Sequence, residues 1–99
     1  MDKKAGKLAR IGALLLRQGE AVDAARYASQ SIFLEPSLPA YKLLASALAK
    51  QKRNTAALHA FEAARPISGG DTDVALSVGH AAVLVALGRP AAAAEILSK

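Results

Sequence analysis

The sequence predicts an all-α chain built from three stacked helical hairpins, six antiparallel helices with the last hairpin cut short. Three observations carry this. Alanine and leucine supply 24 and 14 of the 99 residues, against 5 Val, 4 Ile and 2 Thr, so strong helix formers outnumber β-branched residues several-fold. Glycines and prolines fall in clusters that cut the chain into segments of helix length. A turn pattern then recurs at residues 19, 52 and 88, separated by 33 and 36 residues.

The segments follow from that punctuation. The first runs over about 4–18 and ends at Gly19. The second covers about 21–34 and is closed by Pro36 with Pro39. The third, about 38–52, stops at Lys52-Arg53-Asn54, and the fourth, about 54–65, stops at Pro66 with Gly69-Gly70. The fifth spans about 71–87, with Asp71 as its expected N-cap. Gly88 ends it, and the sixth covers about 90–98 with Pro90 in its first turn. Each connection is short, which favours antiparallel neighbours in one domain spanning residues 1–99.

Aligning the segments exposes the repeat. Leu16-Arg17-Gln18-Gly19-Glu20-Ala21-Val22-Asp23-Ala24-Ala25 matches Ala49-Lys50-Gln51-Lys52-Arg53-Asn54-Thr55-Ala56-Ala57-Leu58. Both match Val85-Ala86-Leu87-Gly88-Arg89-Pro90-Ala91-Ala92-Ala93-Ala94. Helix–turn–helix units near 34 residues mark a helical repeat array. Small residues at 12, 24, 45, 57, 81 and 93 are expected to let the two helices of each hairpin approach closely, with Leu15, Leu48 and Leu84 filling the space between them.

In these letters the chain resembles the tetratricopeptide repeat (TPR) family, in repeats over about 5–38, 38–70 and 71–99. Unit one places Ile11-Gly12, Leu15, Gly19, Ala24 and Pro36 at family positions. It departs at Leu8, Ala28 and Ser31. Unit two keeps Tyr41, Leu44-Ala45, Leu48, Ala57, Phe61 and Ala64, with Lys52 in place of the turn glycine. Unit three keeps Leu84, Gly88 and Ala93, carries Ser77 and His80-Ala81 at its head, and runs out partway through its second helix.

The resemblance implies a right-handed superhelix whose first helices form a concave protein-binding groove. Carried over residue by residue, the groove falls on Ala9, Ala13, Leu16 and Arg17 in unit one. In unit two it falls on Lys42, Ser46, Ala49 and Lys50, and in unit three on Val78, Ala82 and Val85. Family members that clamp a C-terminal carboxylate use Asn where this chain has Ala13 and Ser46, so that clamp is not supported. An apolar groove suits an amphipathic helix or an extended segment with apolar anchors. In size, repeat number and apolar groove the chain is similar to the small tetratricopeptide chaperones of bacterial type III secretion.

The final helix has no polar capping helix after it, which repeat arrays ordinarily need. Ile96 and Leu97 are therefore expected to form an exposed terminal edge. Either a partner covers that edge, or copies of the chain associate through it, or the stack is cut short of its natural end.

Charge adds a competing reading. The net charge of +5 is concentrated early: residues 1–53 carry +6 and residues 54–99 carry −1. Lys3, Lys7, Arg10 and Arg17 follow helical spacing, with Lys4 beside them, and such a stripe suits phosphate or an anionic surface. Tyr27, Phe33, Tyr41 and Phe61 lie elsewhere, so base stacking gains no support and a solvated face explains the stripe better.

Enzyme chemistry has little support. With no cysteine, thiolate and disulfide chemistry are excluded. His59 and Glu62 share a helix face without a third metal ligand, and His80 falls on a core-facing position. Gly69-Gly70 lacks the surroundings of a phosphate-binding turn. Glu62, Asp71 and Asp73 form no recognisable acid/base pair. No cofactor is implied. The apolar run 11–16 is too short for a signal peptide and nothing reaches membrane-spanning length, so a cytoplasmic protein is expected.

Overall fold

The computed structural model describes residues 3–67, 69–70 and 72–98. The described residues form six helices: α1 (Lys3–Arg17), α2 (Ala21–Leu34), α3 (Leu38–Lys50), α4 (Asn54–Ala64), α5 (Val74–Ala86) and α6 (Pro90–Leu97). No strand occurs among the described residues. The six expected segments are all present, and only their ends shift. The fifth begins at Val74 because the Asp73 side chain accepts a hydrogen bond from the Leu76 amide, capping the helix there. The expected cap Asp71 lies outside the described residues.

The three turns share one backbone solution. Gly19, Lys52 and Gly88 take left-handed φ values of 86°, 63° and 79°. After each, the next amide reaches back to a leucine carbonyl: Glu20 to Leu15, Arg53 to Leu48 and Arg89 to Leu84, at 2.8, 3.0 and 2.8 Å. This closes the carbonyl end of the first helix and starts the second within three residues. Glycine adopts that conformation without steric cost, and Lys52 adopts it with one.

Small residues lie where the helices cross. Ala24, Ala45 and Ala57 are fully buried, Ala81 and Ala93 almost so, and Gly12 is buried with them. At Gly12 the approach is so close that a Cβ would stand 2.7 Å from Leu43 Cδ2 and 3.2 Å from the Ala24 carbonyl oxygen. Leu48 and Leu84 are buried between helices, and Leu15 is half-buried. Ser31, a departure from the family pattern, is buried and donates through Oγ to the Ala5 carbonyl at 2.7 Å, tying the end of α2 to the start of α1.

Successive helices pack in order, and α1 with α3 and α3 with α5 also touch. The backbones of the second helices α2, α4 and α6 do not approach one another closely. The first helix of each hairpin thus belongs to one continuous layer. The molecule is elongated, 39 × 27 × 18 Å, and no helix of the described residues is long and apolar enough to cross a membrane.

Candidate protein-binding surface

The exposed side of the α1–α3–α5 layer is the candidate surface. None of the eleven expected groove residues is fully buried: Ala9, Leu16, Lys42, Ser46 and Ala49 are half-buried, while Ala13, Arg17, Lys50, Val78, Ala82 and Val85 are exposed. On α5 the apolar face is uninterrupted. Val78 and Val85 are 54% and 57% exposed, with Ala82 between them, and Val74 extends the stripe one turn earlier at 76%. Residues 74, 78, 82 and 85 share one helical face by their spacing. Open valines on a helix otherwise well packed are an apolar surface without cover.

Between α3 and α5 the layer dips into a hollow of about 490 Å³. Ser46 and Ala49 line it from α3, Ala82 and Ala86 from α5, and Lys52 with Asn54 from the turn into α4. Its floor includes Phe61 and Gly79, because glycine at 79 lets the Phe61 ring come close; a Cβ there would lie 2.7 Å from Phe61 Cζ. Three expected groove residues from two different repeats are therefore brought together. Val74, Ala86 and the Phe61–Gly79 floor were not singled out beforehand. The unbroken apolar spacing from Val74 to Val85 was the signal for the first.

Lys42 sits at one end of this surface and is engaged by its neighbour: Nζ lies 2.8 Å from Asp73 Oδ2. That hydrogen bond, with the backbone amide of Leu76, holds the Asp73 carboxyl below its ordinary value. The pair joins α3 to the cap of α5.

Behind the hollow is a polar lock. His80 is buried and stacks on Phe61, ring centroids 5.9 Å apart and planes 5° from parallel. Arg65 donates from Nε to His80 Nδ1 at 3.3 Å, which requires that nitrogen to be unprotonated. Burial, then the Arg65 charge, lowers the His80 pKa, and Glu62 opposes them. His80 and Arg65 hold α5 to α4 and do not line the hollow.

The remaining candidates lie apart. Lys4, Lys7, Arg10 and Arg17 are exposed along α1, while the Lys3 side chain is outside what the structure describes. His59 and Glu62 are exposed, and the described residues hold no group of three metal-ligating side chains. At the terminal edge Leu97 is 57% exposed, whereas Ile96 is half-buried against the core. A second hollow, about 400 Å³, lies within the first hairpin, lined by Leu8, Phe33 and Leu34 with Lys4 and Arg26 at its border. Phe33 there is 89% exposed. This hollow belongs to one repeat and is not shared between hairpins.

No protein-family model and no curated protein matches the chain.

Proposed function

We propose that this chain is a TPR-like protein-binding module, a right-handed stack of hairpins that holds a segment of a partner protein on its concave α1–α3–α5 face. The reading makes it a cytoplasmic chaperone or adaptor. The small chaperones of type III secretion, which the sequence resembles, suggest an export substrate as one partner class. One observation carries the proposal: Val78, Ala82 and Val85 form an uncovered apolar stripe beside a hollow that Ser46 and Ala49 share with Ala82. The common turn at residues 19, 52 and 88 supports the repeat reading, as does the succession of contacts along the first helices.

The test is Ala82→Glu. Ala82 is exposed, so the helices should persist, while a carboxylate placed over the apolar hollow should abolish capture of the partner recovered by co-purification from the native host. Phe33→Ala, which alters the hollow within the first hairpin, should leave capture unchanged. Capture at wild-type strength by Ala82→Glu contradicts the reading.

A further inference from the structure

The charges are sorted by layer. Helices α1, α3 and α5 together contain seven Lys/Arg and not one Asp or Glu, whereas α2, α4 and α6 contain one Arg and three acids, Asp23, Glu62 and Glu95. Helix stability does not explain this sorting. Bases in the last turn, such as Arg17 and Lys50, do favour a helix. Lys3 and Lys4 in the first turn of α1 oppose its dipole, and the acid at the start of α5, its cap Asp73, is already paired with Lys42. The three helical spans together thus carry bases without acids.

A second observation concerns the partner's backbone. The hollow offers few hydrogen-bonding side chains, Ser46, Lys52 and Asn54 among mostly apolar neighbours. An extended segment laid here would bury amide and carbonyl groups with few partners. A helix satisfies its own, and the small residues Ala82 and Ala86 allow its axis to come near.

Resting on the reading just given, we propose that the occupant of this face is an acidic amphipathic helix of a partner protein. Its apolar stripe lies along Val78, Ala82 and Val85 and into the hollow. Its flanking carboxylates meet Lys50 and Lys52, both exposed. A second copy of this chain fits poorly, since its helical acids stand singly on α2, α4 and α6. Rim charges of this kind act on selectivity and encounter rate more than on total affinity.

The experiment selects helical peptides on the immobilised full chain, from a library with a fixed apolar stripe and flanks randomised among Glu, Gln and Lys. Wild type should enrich Glu about two- to fivefold at flanking positions, an enrichment that shrinks as salt is raised. The double variant Lys50→Glu, Lys52→Glu should lose it or turn it toward Lys. Enrichment without charge preference, abolished by Ala82→Glu, overturns the acidic partner and leaves the groove standing. No enrichment over Ala82→Glu removes both. Sedimentation showing that the free chain is a dimer which the selected peptides dissociate assigns the face to self-association and overturns the inference. So does a mixed-sequence oligonucleotide that binds more tightly than any selected peptide.

Discussion

Two joints connect the three hairpins, and they use different materials. Between the first and second, α1, α2 and α3 meet around Gly12, with Leu43 and Tyr27 against it, and Gln51 Nε2 donates to the Ala21 carbonyl at 3.3 Å. Between the second and third, α4 and α5 meet around Phe61, wedged against Gly79 and stacked on His80, with Arg65 bonded to His80 and Lys42 paired to Asp73. Close approach and one side-chain hydrogen bond close the first joint. The second, beside the candidate hollow, depends on one aromatic ring, one neutral histidine and one ion pair. A tight apolar seam responds mainly to volume, whereas a seam with a buried titratable group also responds to pH.

Removing the central side chain of each joint should separate them most. Phe61→Ala should cost about 3–5 kcal/mol and Leu43→Ala about 2–3 kcal/mol in denaturant unfolding. Only the former should free the amides of α5 and α6 to exchange first. Equal losses with uniform exchange would show that the joints are equivalent.

Adding a methyl group reverses the ranking. At Gly12 the obstacles include the α2 backbone, which does not yield, so Gly12→Ala should cost about 1–2 kcal/mol even after the gain in helix propensity. At Gly79 the nearest obstacle is the tip of the Phe61 side chain rather than backbone, and that ring borders the hollow. Gly79→Ala should therefore cost under about 1 kcal/mol. Thermal or denaturant unfolding of both variants checks the order.

Acid should act on the second joint alone. His80 binds a proton less readily folded than unfolded, so the unfolded chain takes up more protons as pH falls below 6.5. The stability of the third hairpin is complete above that pH and declines as pH drops toward the lowered folded value. The charged groups that act on His80 are Arg65 and Glu62, and protonation would set a second cation against Arg65. Hydrogen exchange between pH 7.5 and 5 should show α5 and α6 losing protection before α1 and α2, and His80→Gln should flatten that trend. Asp73 is depressed by its hydrogen bond from Lys42, so its stabilisation is present above the ordinary carboxylate value and is lost as pH falls from there through the lowered folded value.

The smallest expected effect is at the turns. Lys52 pays for the left-handed conformation that Gly19 and Gly88 adopt freely. Lys52→Gly should be stabilising by up to about 1 kcal/mol, and Gly19→Ala destabilising by about 1 kcal/mol. Melting curves of the two variants against wild type decide it.

Much of the architecture was readable in the letters because each helix is bounded by residues with strong local preferences. Gly19, Gly88, Pro36 and Pro90 place their boundaries through backbone geometry alone. The buried small set at 12, 24, 45, 57, 81 and 93 followed from the repeat phase. The second joint was less legible. A core-facing position for His80 was readable, but its stacking on Phe61 depends on how two hairpins settle, and its bond to Arg65 depends on the connection after α4. Asp73 took the capping role expected of Asp71 because a shift of two residues costs little in a loop with two glycines. The candidate surface was visible as a set of positions. The hollow was not, since it arises from Gly79 and Phe61 on different helices.

The central claim is that the α1–α3–α5 layer is where a partner binds. Residue-resolved amide NMR of the labelled chain, titrated with the selected helical peptide, tests it most directly. The account predicts that perturbations concentrate at Ser46, Ala49, Ala82 and Val85 and leave α2 and α6 unchanged. Perturbations centred on Phe33, or on α2 and α6, would contradict it.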